Sequence, residues 1–352
     1  MAARSPSMHF YCSEFDTEQT NGQRLDMTQI RPLVVVPDDI NGAYSDSQSL
    51  SRLEELAEVI IHTSRPIDEA DLISRVRNAD AILSFRPAFT RFPSALIESC
   101  SQLKLICISG TGVEDIDVAL ASKKKIAVAN VVGASNQSVA ELCIAFMFAL
   151  ARKLPQQDAA VRNGTWQGFA GVELSGKTLG VVGLSGISKE LIRMAIGIGM
   201  NVISWSRNND AARARAAGSE AVTLDELLSR ADVLSLHLRL NAETRGFLNA
   251  SRISQMKPGA LLINTARGGL VDEEALTHAL RSGRLGGAGL DVFSIEPLPS
   301  DSPLNTLSNV VMTPVSGWNT SESSQRLINI SIDNVVGFFS GKPNNIVNRE
   351  LI

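Results

Sequence analysis

Residues 173–207 read ELSGKTLGVVGLSGISKELIRMAIGIGMNVISWSR, and this stretch decides the fold. Leu179, Val181 and Val182 form the short apolar run of a buried parallel strand. The turn Gly183-Leu184-Ser185-Gly186-Ile187-Ser188 follows, then a helical pattern from Lys189 to Gly199, and Val202, Ile203 and Trp205 supply the next strand. Strand, tight turn, helix, strand is the layout that sets a pyrophosphate against backbone N–H groups at a helix start. The glycine fingerprint of such turns asks for glycine at 183, 185 and 188, and this chain offers Gly183, Ser185 and Ser188. Ser185 puts a Cβ and a hydroxyl where phosphate would lie, although the hydroxyl can donate to a phosphate oxygen and Gly186 adds freedom one residue later. The expected cofactor contacts are therefore Gly183, Ser185, Gly186 and Ile187.

Working outward, Leu33–Val36, Val59–Ile61, Ala81–Ser84 and Leu103–Ile108 read as strands, with helical stretches over 53–59 and 68–76 between them. After the turn, strands follow at Val233–Leu236, Ala260–Ile263, Gly287–Leu290 and Val310–Met312. Alternating strands and helices with glycine-rich strand ends predict α/β architecture with parallel, helix-flanked sheets. Ser138 and Glu141 have the spacing of a capping box and open an almost wholly apolar helix to about Leu150. Residues 152–170 read as a polar connector, and 1–30 as a flexible extension. The helical stretch Ser321–Phe339 has no sheet of its own and is expected to return to the first domain.

A chain of 352 residues suggests two domains. Hydrophobic content of 44% with 20% charged residues suits a globular protein, and a net charge of −4 gives no reason to expect nucleic acid or an anionic membrane. The four cysteines lack metal-type spacing, and Cys100, Cys107 and Cys143 sit in apolar contexts as reduced core thiols. The first thirty residues match neither a signal nor a transit peptide, so a cytoplasmic location is expected.

Six stretches carry a family resemblance: LKLICISGTGVEDIDV (103–118), NVVGASNQSVAEL (130–142), ELSGKTLGVVGL (173–184), ADVLSLHL (231–238), NTARGGLVDEEAL (264–276) and GAGLDVFSIEP (287–297). In this order they resemble the D-isomer-specific 2-hydroxyacid dehydrogenases, the group of D-3-phosphoglycerate dehydrogenase and glyoxylate reductase. The resemblance implies two Rossmann-like, doubly wound domains separated by a cleft. Residues 31–129 with 316–352 would form the flavodoxin-like substrate domain, and 130–315 the dinucleotide-binding domain. It also implies hydride transfer between a nicotinamide and C2 of a 2-oxo acid, a small-molecule substrate, and a homodimer.

The resemblance assigns catalytic roles to Arg267, which would hold the substrate's carboxylate and carbonyl oxygen, and to Glu296, which would orient a histidine. Asp291 matches the position that meets the nicotinamide, Gly110, Thr111 and Gly112 the loop that receives the carboxylate, and Arg86 a contact to the substrate's far end. The histidine itself is replaced: where the family has Thr-Pro-His, this chain has Thr313-Pro314-Val315. Valine neither transfers a proton nor donates a hydrogen bond. Trp318 and Asn319 remain as candidate neutral donors beside it. Ser206 stands where an acidic residue would bind the adenosine ribose, with Arg207 next to it, which favours NADP(H) over NAD(H). Three readings stay open: a working NADPH-dependent 2-oxo acid reductase with a neutral donor, a repurposed cleft with poor ordinary dehydrogenase activity, and a non-catalytic dimeric interaction protein. Loss of the acid together with two turn glycines favours the second.

Overall fold

The computed structural model describes residues 31–85, 91–208 and 210–351. Two all-parallel sheets organise them. The first contains β1 (Leu33–Val36), β2 (Glu58–Ile61), β3 (Ala81–Ser84), β4 (Leu105–Ile108) and β5 (Ala127–Ala129), in the order β2-β1-β3-β4-β5. The second contains β6 (Thr178–Val182), β7 (Asn201–Trp205), β8 (Glu220–Ala221), β9 (Val233–Leu236), β10 (Ala260–Asn264), β11 (Leu285–Leu290) and β12 (Val310–Met312). Its order is β12-β11-β10-β9-β6-β7-β8. Each is doubly wound, the reversal falling between β1 and β3 in one sheet and between β6 and β9 in the other. Ligands of such sheets bind at the carboxyl ends of the strands flanking the reversal.

The inner strands of both sheets are buried on both faces, which is why they read as continuous apolar runs. Around the first sheet, one layer gathers Tyr44, Leu53, Ile328, Ile332 and Val335 and the other Leu72, Val76, Leu96 and Ile97. The helix Ser321–Phe339 thus packs on β3 and β4, far from it in sequence. On the second sheet, Cys143, Phe146 and Met147 of the helix Asn136–Ala151 share a core with Leu191 and Ile192 of the helix Gly186–Gly197. Gly289 makes this possible, since a Cβ there would lie 2.6 Å from that of Phe146. Cys100, Cys107 and Cys143 are buried free thiols.

Three local expectations are corrected. The helix after the glycine turn begins at Gly186, not Lys189, because Ser185 caps it. The apolar helix begins at Asn136 after Ser135, so Ser138 is an interior residue whose hydroxyl donates back to the Ser135 carbonyl at 3.1 Å. The connector 152–170 contains a helix, Leu154–Arg162, with Pro155 in its first turn and no buried residue, so apolar periodicity had nothing to reveal. No described helix is long and apolar enough to cross a membrane.

Candidate active site

At the reversal of the seven-stranded sheet, Gly183 ends β6 with φ +96°, and a Cβ there would meet the His237 carbonyl oxygen at 2.9 Å. Only glycine fits both the conformation and the approach. The serines in the other two glycine positions close on each other. Ser185 accepts from the Ser188 amide at 3.2 Å, and Ser188 Oγ accepts from the Ser185 amide at 2.6 Å. The Ser185 hydroxyl, which the sequence offered as a donor to phosphate, accepts in this reciprocal cap and turns its own O–H to Ser188 Oγ at 3.4 Å, and Ser188 is fully buried in the first turn.

The amides of Gly186 and Ile187 are left without a partner among the described residues. They point out of the first turn of a twelve-residue helix, where the backbone dipole favours an anion. Asn136 Nδ2 lies over the same turn, 2.1 Å from where a Gly186 Cβ would stand. Glycine is therefore needed at 186 for the approach of Asn136. A free helix start with an extra amide donor fits a dinucleotide's diphosphate.

Beyond β7, Ser206 is half-buried and Arg207 is exposed, its Nη2 paired to Glu243 at 2.6 Å. An exposed pair of this kind is worth about 0–1 kcal/mol, so Glu243 holds Arg207 only weakly. Arg213 reaches back to the Leu184 carbonyl at 2.6 Å and ties the turn to the next helix. Sequence reading missed Asn136, Arg213 and Glu243, since each approaches the turn from a distant segment.

Arg267 follows β10 on a turn clamped by Asn264, whose Nδ2 donates to the Arg267 carbonyl at 3.0 Å and whose Oδ1 accepts from the Ala266 amide at 3.1 Å. Gly268 lets this turn lie directly on the chain after β11, for a Cβ there would clash with the Phe293 carbonyl. Arg267 Nη1 donates to the Ala266 carbonyl at 2.7 Å. Its Nε and Nη2 both contact Glu114 Oε1, each at 3.1 Å. Glu114 follows β4 of the five-stranded sheet, so the pair joins the strand ends of the two sheets. Sequence reading did not single it out, because nothing local marks a residue that finds its partner 153 positions away.

Beside Glu114, the Gly110 amide is spent on the Ile108 carbonyl at 2.9 Å, whereas the amides of Thr111 and Gly112 have no partner among the described residues. The Thr111 hydroxyl donates to the Val131 carbonyl at 3.1 Å, and Asn130 Nδ2 donates to the Thr111 carbonyl at 2.7 Å, which holds the loop open. Beneath it, the buried Tyr44 hydroxyl contacts Ser109 Oγ. Asp38, at the end of β1 across the reversal from Ser84, is buried, and desolvation raises its carboxyl to about 7. Arg86 lies outside the described residues.

The segment that carries Val315 is organised by Asp291. One carboxylate oxygen accepts from Thr313 Oγ1 and the Ser316 amide, the other from the Gly317 amide at 2.9 Å. Burial raises the Asp291 carboxyl above the usual carboxylate range, and nearby Glu296 adds to the rise. Val315 itself donates its amide to the Asp291 carbonyl at 3.0 Å and adopts φ +55°. A β-branched residue in that region is a genuine outlier, and histidine and asparagine enter it more readily. Glu296 is exposed and Oε1 accepts from the Phe293 amide at 3.0 Å. Trp318 is half-buried edge-on to Phe85 at 5.3 Å, and Asn319 is exposed.

No described histidine takes over the missing role. His237 is buried with Nε2 on Ser235 Oγ at 2.9 Å, and desolvation lowers it to about 4, which keeps it neutral at ordinary pH. Among the described residues, no three His, Cys, Asp or Glu side chains gather as they would for a metal ion.

The pattern of the D-isomer specific 2-hydroxyacid dehydrogenase, NAD binding domain, matches residues 144–317. The chain is 34% identical to the hydroxypyruvate reductase of Blautia hydrogenotrophica over 84% of this chain and 94% of that protein. It is 39% identical to the D-3-phosphoglycerate dehydrogenase of Methanocaldococcus jannaschii over 84% of this chain and 56% of that protein. The chain thus spans about half the length of the phosphoglycerate dehydrogenases it matches. Among solved structures, an acyclic imino acid reductase in complex with NADPH and D-Arg superposes with a TM-score of 0.81 at 31% identity, covering 90% of this chain and 99% of that one.

Proposed function

The chain belongs to the D-isomer-specific 2-hydroxyacid dehydrogenase family, and on that premise we propose that it is a repurposed, NADP(H)-binding member with poor activity on ordinary 2-oxo acids. The observation that carries this reading is Val315, apolar and held at the acid's position by Asp291, while Arg267 still stands at the cleft. A carbonyl oxygen gains negative charge as C2 is reduced and needs a donor aimed at it. Glu296, which would have oriented that donor, instead caps a backbone amide.

A bound nicotinamide would supply hydride. The amides of Gly186 and Ile187, with Asn136, would hold its diphosphate, and Ser206 with Arg207 its adenosine phosphate. The relative solved with NADPH supports the phosphorylated cofactor. The amides of Thr111 and Gly112 would bind the ligand's carboxylate, Arg267 would stand beside it with its Nε and Nη2 on Glu114, and Trp318 with Phe85 would close the apolar side.

We further propose a homodimer formed through 154–172, where Trp166 is 94% exposed and Leu154, Val161 and Val172 are each at least half exposed. A second copy is what the family resemblance implies, and these exposed apolar side chains support placing it here.

Steady-state reduction of glyoxylate and hydroxypyruvate with NADPH tests the assignment. Loss of the acid takes about 10²–10⁴ from a typical kcat near 10 s⁻¹, so values below about 0.1 s⁻¹ are expected. A kcat above about 10 s⁻¹ with the unaltered protein would overturn it.

A further inference from the structure

We propose that the cleft selects a 2-imino acid, a carboxylate whose C2 is double-bonded to a protonated nitrogen, over the corresponding 2-oxo acid, and that Glu114 discriminates between them. This rests on the reading of the cleft given above. Two observations carry it independently.

The first is that, among the described residues around Val315, no side chain stands ready to protonate a nascent alkoxide. Val315 has none, Asp291 is saturated by Thr313, Ser316 and Gly317, Glu296 caps Phe293, and His237 is sequestered on Ser235. A 2-oxo acid needs that proton, because the electron pair of its C=O bond ends on oxygen as C2 receives hydride. An iminium already carries the proton. When its C2 accepts hydride, a C–H bond forms, the C=N π pair becomes a nitrogen lone pair, and a neutral amine results. That amine takes its proton from water afterwards, and the nicotinamide is oxidised by the one hydride lost.

The second is the state of Arg267. The Nε and Nη2 edge of a guanidinium is the edge that receives a carboxylate. Here both atoms lie 3.1 Å from Glu114 Oε1. A fixed carboxylate on that edge competes with an anionic or carbonyl oxygen. For an iminium the effect is reversed: Glu114 offsets the repulsion a bare guanidinium would exert on the cation and offers its N–H an acceptor. The ligand's own carboxylate then falls to the unpartnered amides of Thr111 and Gly112. Charge arrangement, acid loss and loop donors therefore point to one ligand, anionic at C1 and cationic at the nitrogen on C2.

Calorimetry of the NADPH-loaded protein with N-methyl-D-alanine and D-lactate, a pairing of reduced cofactor with reduced product, tests this without turnover. The amine is expected to bind at least about tenfold tighter than the hydroxy acid, and Glu114→Gln to cut that preference to about threefold or less. In parallel, NADPH oxidation with pyruvate plus methylamine should exceed that with pyruvate alone by about 100-fold or more, giving N-methylalanine by mass spectrometry. Equal or tighter lactate binding, or lactate as the sole reduced product, would overturn the proposal. A Glu114→Gln variant that keeps the full preference would overturn the role of Glu114. Lactate formed at ordinary dehydrogenase rates would sink the underlying reading as well, whereas tight NADPH binding with no amine preference and slow pyruvate turnover would sink this proposal alone.

Discussion

Replacing Val315 with histidine acts on the backbone and on the chemistry at once. Val315 sits at φ +55°, fixed by its amide bond to the Asp291 carbonyl and by the three bonds that Asp291 makes to the same segment. A strained residue of this kind costs about 1–3 kcal/mol, and histidine enters the left-handed region more readily than valine. Val315→His is thus expected to stabilise by about 1 kcal/mol, or roughly 2 °C in a melt of a protein of this size. Its imidazole would stand on the segment that the Asp291 carbonyl anchors, and Glu296 follows five residues after Asp291 with Oε2 unpartnered among the described residues. A restored acid should raise kcat for glyoxylate by about 10²–10⁴, read as NADPH oxidation, with KM changed less than kcat. A higher melting temperature without any gain in kcat would refute the site map. A lower melting temperature would refute the strain argument.

Other consequences follow from the turn, the small sheet and the exposed segment 154–172. Ser185→Ala removes a reciprocal cap and should cost about 1 kcal/mol in denaturant titration, whereas Ser185→Gly should cost only a few tenths and bind NADPH at least as tightly. Asp38 has its carboxyl raised to about 7, so its contribution is fully present below the unfolded value near 3.8 and is lost as pH rises through about 7. Stability should therefore fall between about pH 4 and 8 by up to about 4 kcal/mol, and Asp38→Asn should flatten that fall. An unchanged pH dependence in the variant would remove Asp38 from the account. Trp166→Ser should shift the protein from dimer toward monomer in sedimentation, and an unaltered mass would rule out 154–172 as the interface.

The fold was legible because it is written in local signals. Runs such as Leu33–Val36, Ala81–Ser84 and Val233–Leu236 are buried on both sheet faces, so their apolar character marks them without regard to partners. Short amphipathic helices such as Ala211–Ala216 and Ala250–Gln255 were not read, since one or two turns with a single buried residue leave little periodicity. At the site, Arg267, Asp291 and Val315 were visible through their flanking motifs. What those motifs could not convey is how donors are spent: the Ser185 amide on Ser188, Gly110 on Ile108, Arg207 on Glu243 and Arg267 on Glu114. The last two are long-range pairings fixed by tertiary packing, and a pairing of that kind leaves no trace in the neighbouring sequence.

The central claim is that the serine-substituted turn still receives a phosphorylated nicotinamide cofactor, and titration of the purified protein with NADPH and NADH tests it most directly. Two free amides, Asn136 and a releasable Arg207 predict micromolar NADPH binding, tighter than NADH by about tenfold, a difference of about 1.4 kcal/mol. Binding of neither cofactor at millimolar concentration would contradict the account.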